Sequence, residues 1–240
     1  MKTISILIPA YNEEKRLPST LKKWQEFLNN KKSLEYKIKE IIIIDDGSED
    51  KTIPVAQYFN KCLPIKIIRI GKNKGKGNAI RAGVKNATGD FIFIYDADAA
   101  VLPKEIKKLL LQIDNADIVI GSRIAKDSKT TMSFKRRLVG MCFHIAYYPL
   151  LPRIKDASCG AKLFKTEPAK KIFDLQKINR FAFDIEILWL AKKLNFKIKE
   201  VGIVWQEIPN SKVKVLKDGA EMFFSVLGLY SRALLSKIYN

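Results

Sequence analysis

Apolar runs rich in isoleucine and valine alternate with longer stretches of helical spacing through the first half of the chain. Runs that are apolar on both faces are typical of strands in a parallel sheet that helices cover on both sides. Five such runs predict strands over residues 4–9, 41–44, 65–70, 91–95 and 118–120. Between them, apolar residues recur at helical intervals, as at Leu21, Trp24 and Leu28. This order predicts an α/β fold with a Rossmann-like, doubly wound, mostly parallel sheet and helices on both faces.

The second half of the chain has a less regular pattern. It predicts helices over about residues 134–151 and 183–194, and strands over residues 162–164 and 201–205. A last, amphipathic helix is expected over about residues 218–238. Six of its side chains would form one apolar face: Met222, Phe223, Val226, Leu229, Tyr230 and Leu234. With 240 residues, 47% of them hydrophobic, the chain is long enough for one sizeable core with an appendage.

A net charge of +19 implies an anionic partner, either nucleic acid, an anionic membrane or phosphorylated substrates. The excess is larger in the second half, since residues 1–125 hold 22 basic and 15 acidic residues and residues 126–240 hold 22 and 10. Within residues 128–155, which contain no acid, residues 138–151 carry no charge at all. That segment is shorter than the roughly 20 residues that span a bilayer, and its length suits a helix lying in the membrane interface. A buried helix with a solvated basic flank explains it equally well.

Charged side chains follow four of the five predicted strands, and ligands of such sheets bind at the carboxyl ends of the strands. Glu13 and Glu14 follow the first strand, Asp45 and Asp46 the second, Asp96 and Asp98 the fourth, and Arg123 the fifth. Helix capping explains Asp96 and Asp98 poorly, because the next helix is expected to open only at about residue 103. Two aspartates one residue apart suit a hard divalent cation such as Mg2+ or Mn2+, and an arginine beside them suits a phosphate.

A lysine-rich glycine run at residues 71–78 precedes a predicted helix. It matches neither the dinucleotide fingerprint nor the P-loop, which argues against a dehydrogenase or a P-loop ATPase. A loop of this kind at the start of a helix attracts phosphate. A tight turn with solvated lysines explains the run nearly as well.

Several segments resemble, in order, the motifs of family-2 glycosyltransferases with the GT-A fold: residues 6–13, 44–48, 73–77, 96–98 and 121–123. Three later segments resemble the dolichyl-phosphate glucosyltransferase and mannosyltransferase branch: residues 156–164, 180–186 and 204–212. The resemblance covers about residues 3–215. Glu207 stands where the mannosyltransferases typically have an arginine, which brings the chain closer to the glucosyltransferases. Asn210 stands where the family usually has a glycine.

The resemblance implies an inverting enzyme that moves a hexose from a nucleotide-sugar to a dolichyl or polyprenyl phosphate with Mg2+ or Mn2+. UDP-glucose is favoured as donor, and GDP-mannose is the alternative. The catalytic domain would cover residues 1–215, with a nucleotide-sugar-binding half at 1–125 and an acceptor half at 126–215. Residues 216–240 would form a membrane-associated amphipathic helix. The expected location is peripheral, at the cytoplasmic face of an anionic membrane.

The resemblance also assigns roles to individual residues. Donor contacts fall to Pro9, Tyr11, Glu13, Asp45, Asp96, Ala97, Asp98 and Lys212. Asp96 and Asp98 would serve the metal, with Asp98 as the direct ligand. Arg123, together with Arg136 or Arg137, would hold the acceptor phosphate, and Asp98, Arg123 and Arg137 would form the catalytic group.

Two alternatives stay open at this point. A family-2 enzyme with a sugar hydroxyl as acceptor would need a general base, and Asp184 or Glu186 would supply it. A non-catalytic basic module on membrane or nucleic acid would account for the charge. However, the sequence contains no recognisable nucleic-acid-binding motif, and acids at the strand ends would repel phosphates. No nucleic-acid partner is therefore expected.

Overall fold

The structure is a computed structural model that describes residues 1–30, 35–208 and 215–238. The strands are β1 (Thr3–Ala10), β2 (Lys37–Asp45), β3 (Ile65–Arg69), β4 (Phe91–Ile94), β5 (Ile118–Ser122), β6 (Lys129–Thr131), β7 (Lys162–Lys165), β8 (Ile198–Gly202) and β9 (Val204–Gln206). The helices are α1 (Leu17–Asn29), α2 (Thr52–Phe59), α3 (Lys76–Asn86), α4 (Ile106–Ile113), α5 (Phe134–Tyr147), α6 (Thr166–Leu175), α7 (Phe183–Lys193) and α8 (Val215–Ile238). A 3-10 turn, Pro103–Glu105, leads into α4.

Seven strands form one sheet in the order β3-β2-β1-β4-β7-β5-β8. All neighbours are parallel except β7, which runs antiparallel to both β4 and β5. The carboxyl ends of β1, β2, β4 and β5 therefore meet at one edge. The predicted doubly wound, mostly parallel α/β sheet is confirmed.

The alternation of side chains along the strands divides the core into two halves, one on each face of the sheet. Ile41 and Ile43 pack with Trp24 of α1 on one face. Ile42 and Ile44 pack with the helices α3, α6 and α7 on the other. Because both faces are covered, both sets of alternate positions must be apolar, which explains the uninterrupted isoleucine run of β2.

Two predictions of the second half need correction. The predicted strand at 201–205 is two strands, and the break falls at Ile203, after which β9 leaves the main sheet to pair with β6. The predicted helix at 134–151 ends at Tyr147, because Pro149 has no N–H to continue the helical hydrogen bonds. Helix α6 was not predicted at all.

The last helix packs against α5, where the Tyr230 hydroxyl donates a hydrogen bond to the Ala146 carbonyl at 2.7 Å. Of its predicted apolar face, Val226 and Leu229 are buried, whereas Phe223 and Leu234 are exposed. The face is therefore divided between the protein core and solvent. Within the described ranges, no helix combines the length and the apolar character needed to cross a membrane.

Candidate active site

The loops after β1 and β2 are joined at the start of the site. Pro9 and Ala10 stand in register with Ile44 and Asp45, and the Asp46 N–H donates to the Ala10 carbonyl at 2.9 Å. Tyr11, which follows β1, is 37% exposed. These contacts bring the predicted donor residues Pro9, Tyr11 and Asp45 to one edge of the sheet.

Glu13 is buried rather than open to a ligand. Its two carboxylate oxygens accept hydrogen bonds from the Arg16 guanidinium at 2.7 and 2.5 Å. Its N–H donates to the Thr52 hydroxyl at 2.7 Å. Glu13 therefore fixes the loop after β1 and brings the charge of Arg16 close to the aspartates that follow β4.

Asp46 holds the glycine run in place, a role that sequence reasoning missed. Its carboxylate accepts hydrogen bonds from the N–H groups of Lys74 at 3.0 Å and Gly75 at 2.7 Å. Burial raises the pKa of Asp46 above its ordinary value, although these two donors oppose the shift. Gly47 is needed beside it, because its φ is +82° and an added Cβ would lie 2.7 Å from the Lys72 Cα. The glycine run is thus a fixed part of the site.

Asp96 forms an ion pair with Lys76, the first residue of α3. The Lys76 Nζ lies 2.6 Å from Asp96 Oδ1. Burial alone would raise the pKa of Asp96, but the Lys76 ammonium and the more distant charges of Lys162 and Arg123 hold that pKa below its ordinary value. The same attraction outweighs burial at Lys76 and raises its pKa. Asp96 therefore stays ionised.

Asp98 lies in a different electrostatic environment. Its carboxylate accepts a hydrogen bond from the Ala100 N–H at 3.0 Å. Within the described part of the chain it forms no ion pair. Burial, and then the negative charge of Asp96, raise the pKa of Asp98. Between the two aspartates, Ala97 is buried and its carbonyl accepts a hydrogen bond from the Thr20 hydroxyl at 2.6 Å.

The aspartate pair fits a hard divalent cation. A carboxylate whose charge is disfavoured by burial and by a neighbouring acid is stabilised when a cation joins it. The described residues contain no cluster of three or more His, Cys, Asp or Glu side chains that would form a complete metal site. Mg2+ and similar ions are usually bound through one or two carboxylates, with substrate phosphates completing the shell. Asp98, with Asp96 beside it, has the chemistry that such a partial site would need.

Arg123, which follows β5, forms a second group with Arg136 of α5 and Trp205 of β9. Asp156 holds Arg123 through Nε and Nη2, each at 2.7 Å, and accepts its N–H as well. The Trp205 ring lies 5.7 Å from the Arg123 guanidinium and 4.8 Å from that of Arg136. A contact of this kind orients a guanidinium and leaves donors at its edge for an anion, although the Nε and Nη2 donors of Arg123 are already taken by Asp156. The structure thus brings Arg123 and Arg136 together, as predicted from the sequence.

Arg137 and Lys212 are the remaining predicted site residues. Arg137 is exposed on α5, one residue beyond Arg136. Lys212 lies outside the described residues. Asn210, which stands where the family usually has a glycine, is also outside the described residues.

Asp184 and Glu186, the candidate bases, are engaged in buried contacts. The Lys162 ammonium, fully buried, lies 2.5 Å from Asp184 Oδ1. Glu186 is also fully buried and accepts the N–H groups of Lys177 at 3.0 Å and Ile178 at 2.6 Å, as well as the Arg232 guanidinium. Both carboxylates therefore organise the protein interior. Lys162 was not singled out from the sequence, since a lysine in a short strand is ordinarily exposed.

Residues 5–173 match the family model described as Glycosyl transferase family 2. The chain belongs to that family. This glycosyltransferase is 38% identical to a dolichyl-phosphate beta-glucosyltransferase of Dictyostelium discoideum, over 97% of this chain and 75% of that protein. It is 34% identical to the Homo sapiens protein of the same name, over 88% of this chain and 70% of that one. The resemblance predicted from the motifs is therefore confirmed.

Solved structures agree on the fold of the glycosyltransferase. Glucosyl-3-phosphoglycerate synthase from Mycobacterium tuberculosis, crystallised with Mn2+, UDP and glucosyl-3-phosphoglycerate, superposes with a TM-score of 0.71. It is 18% identical, and the match covers 94% of this chain and 78% of that one. Mannosyl-3-phosphoglycerate synthase from Rubrobacter xylanophilus gives a TM-score of 0.72 at 18% identity, over 98% and 75% of the two chains. The predicted GT-A fold is confirmed.

Proposed function

We propose that this family-2 glycosyltransferase transfers glucose from UDP-glucose to a dolichyl or polyprenyl phosphate, with Mg2+ or Mn2+ bound at Asp98 and Asp96. One observation carries the proposal. An aspartate pair suited to a cation lies at the same sheet edge as Arg123, close enough for the arginine charge to lower the pKa of Asp96. The proposed site for the cation and the donor diphosphate is therefore next to the proposed site for the acceptor phosphate. The names of the similar proteins support glucose as the sugar and a dolichyl phosphate as the acceptor.

The donor lies, in this proposal, across the loops after β1, β2 and β4. Pro9, Tyr11 and Asp45 line the base and ribose, and Ala97 provides a small surface between the two aspartates. Glu13 keeps its ion pair with Arg16 and holds the loop after β1 in place. Lys212, which is outside the described residues, is proposed to contact the diphosphate. A cation held by Asp98 and Asp96 would neutralise the charge that develops on the departing diphosphate.

The acceptor phosphate lies against Arg123, Arg136 and Arg137. A phosphate monoester has a second pKa near 6 and is largely dianionic at neutral pH, so it needs no strong general base. What it needs is positive charge fixed in place before the reaction. Asp156 and Trp205 fix the Arg123 guanidinium in place, and Trp205 does the same for Arg136. The phosphate oxygen then attacks the anomeric carbon opposite the leaving diphosphate, which inverts the configuration.

Glu207 acts, in this proposal, as the residue that orients Arg136. Its carboxylate accepts the Ser133 N–H at 2.7 Å and lies 3.7 Å from the Arg136 guanidinium. The Ser133 donor lowers the pKa of Glu207, so the carboxylate is ionised at neutral pH. An arginine at this position would repel Arg136 instead. The acceptor side is therefore built around an acid here, in keeping with the glucosyltransferase branch.

The enzyme works, we further propose, peripherally at an anionic membrane on its cytoplasmic face. Helices α5 and α8, which pack together, both expose large apolar side chains. The set comprises Phe134, Leu138, Met141, Ile145, Phe223, Phe224, Leu227 and Leu234, each at least 44% exposed, and is called the α5–α8 surface below. Basic residues flank it at Arg137, Arg153 and Lys155. Apolar side chains with a basic rim suit a helix pair that lies in the interface of an anionic bilayer.

A donor and acceptor screen tests the reaction. The enzyme is incubated with radiolabelled UDP-glucose or GDP-mannose, Mg2+ or Mn2+, and a polyprenyl phosphate, and label entering the organic phase is counted. We expect label only from UDP-glucose, and none in EDTA. Label from GDP-mannose alone would overturn the choice of donor, and full activity in EDTA would overturn the metal role.

Vesicle sedimentation tests the membrane contact separately. A Phe223→Ser/Phe224→Ser variant should bind vesicles of phosphatidylcholine with phosphatidylglycerol more weakly than wild type. Tyr58 and Leu111 are 70% and 76% exposed on α2 and α4, so Tyr58→Ser/Leu111→Ser is a matched control expected to bind normally. Equal loss in both variants, or none in either, would rule out the α5–α8 surface.

A further inference from the structure

Lys76 occupies a position where its charge competes with a metal ion. Its ammonium lies 2.6 Å from Asp96 Oδ1 and 6.0 Å from the centre of the Phe183 ring. Asp96 is one of the two carboxylates that the proposed function gives to the cation. Lys76 therefore places one positive charge at that carboxylate.

The backbone around Lys76 fixes this contact. Gly75, immediately before it, has a φ of +102° and donates its N–H to Asp46 at 2.7 Å. On the other side of the ion pair, Asp96 Oδ2 is packed against Gly160, where a Cβ would lie 1.9 Å from that oxygen. The Asp96 carboxylate is therefore confined between Lys76 and Gly160. The ion pair is a built feature of the site.

The charge balance of the site follows from this arrangement. Two ionised aspartates would give two negative charges to an incoming divalent cation, but Lys76 cancels one of them. Among the described residues, only Asp98 then offers a carboxylate without an ion pair, and a single carboxylate holds Mg2+ or Mn2+ weakly. The donor diphosphate brings further negative charge, which can satisfy both the cation and the lysine.

We propose that Lys76 suppresses metal binding in the empty site, so that the cation is retained only together with the donor diphosphate. Lys76 is thus a positioning residue for the order of binding, and the inference rests on the proposed metal role of Asp96 and Asp98. Neighbouring lysines do not share this task. Lys72 and Lys74, in the same loop, are both exposed.

Mn2+ binding without nucleotide, measured by electron paramagnetic resonance of the free ion, tests the inference. Lys76→Met should bind Mn2+ on the order of tenfold more tightly than wild type or better, because one positive charge a few ångströms away is removed. Lys72→Met and Lys74→Met make the same change in net charge and should bind Mn2+ as wild type does. Lys76→Met/Asp96→Asn should lose the gain, and it avoids leaving Asp96 unpaired if the single variant folds poorly.

The outcomes separate this inference from the proposed function. If wild type binds Mn2+ with UDP but Lys76→Met shows no gain without UDP, the role of Lys76 is refuted and the metal role stands. An equal gain in the Lys72 and Lys74 variants would also refute it, since the effect would then be one of net charge. If no variant binds Mn2+ even with UDP, the metal role itself fails.

Discussion

Gly160 lies so close to Asp96 that a Cβ on the glycine would stand 1.9 Å from the Asp96 Oδ2 atom. Gly160 follows the buried Cys159 in the loop before β7, the one antiparallel strand next to β4. The loop before β7 thus packs against Asp96, the first aspartate of the pair. A glycine is required there by contact with a carboxylate.

Replacing Gly160 with alanine should therefore move Asp96 and impair donor binding. The clash should cost about 1–3 kcal/mol in stability, as overpacking commonly does. We expect the Kd for UDP in the presence of Mn2+ to rise at least about tenfold, because Asp96 loses its position at the proposed cation site. Isothermal titration with UDP and urea unfolding measure the two effects.

Gly140→Ala is the matched control for that substitution. Gly140 lies on α5 with nothing within 4 Å of an added Cβ, and alanine there should raise stability slightly. A Gly160→Ala enzyme with normal donor affinity would show that the contact with Asp96 has no functional weight.

Asp184→Asn should destabilise the protein without removing a catalytic group. It leaves the fully buried Lys162 ammonium without its carboxylate, and breaking a buried pair in this way costs roughly 3–5 kcal/mol. Urea unfolding should reveal the loss, and Lys162→Met/Asp184→Asn should recover part of it. If the folded Asp184→Asn enzyme bound donor normally yet had no transferase activity, Asp184 would be the base of a hydroxyl-acceptor enzyme.

Arg137→Ala should weaken the use of the lipid phosphate more than donor binding. Hydrogen bonds to charged groups contribute about 1.5–3 kcal/mol, which corresponds to an increase of roughly tenfold or more in the KM for polyprenyl phosphate. Lys171→Ala, at an exposed position on α6, controls for the loss of one positive charge. A change confined to the KM for the donor would show that Arg137 is not on the acceptor side.

Metal binding should depend on pH through Asp98. The raised pKa of Asp98 means that its carboxylate takes up a proton at a higher pH than the ordinary aspartate value of about 3.9. Since a protonated carboxyl does not hold the cation, Mn2+ affinity in the presence of UDP should fall as the pH drops towards that raised pKa. Titrations between about pH 4 and 7.5 should show this decline. Affinity that stays constant down to pH 4 would contradict it.

The sequence predicted the sheet and the location of the site because both depend on local pattern. Strands apolar on both faces, each followed by a charged turn, place Asp45, Asp96 and Arg123 at one edge. That pattern could not predict that β7 is antiparallel, because the apolar pattern of a four-residue strand does not indicate its direction in the sheet.

Contacts between distant loops could not be predicted in the same way. Asp46 binds backbone N–H groups 28 and 29 positions further along the chain, and their identity leaves no trace in composition or spacing. Lys162 is buried only because Asp184, 22 positions away, supplies its counter-charge. Such pairings exist only once the chain has folded, so the sequence alone could not predict them.

The most direct test of the account is a crystal structure with UDP and Mn2+, with the ion located by its anomalous scattering. We expect Mn2+ at about 2.0–2.2 Å from an Asp98 oxygen and from oxygens of the UDP diphosphate. We also expect Arg123 to lie on the side of the diphosphate where an acceptor phosphate would enter. Mn2+ and diphosphate bound away from Asp96 and Asp98 would contradict it.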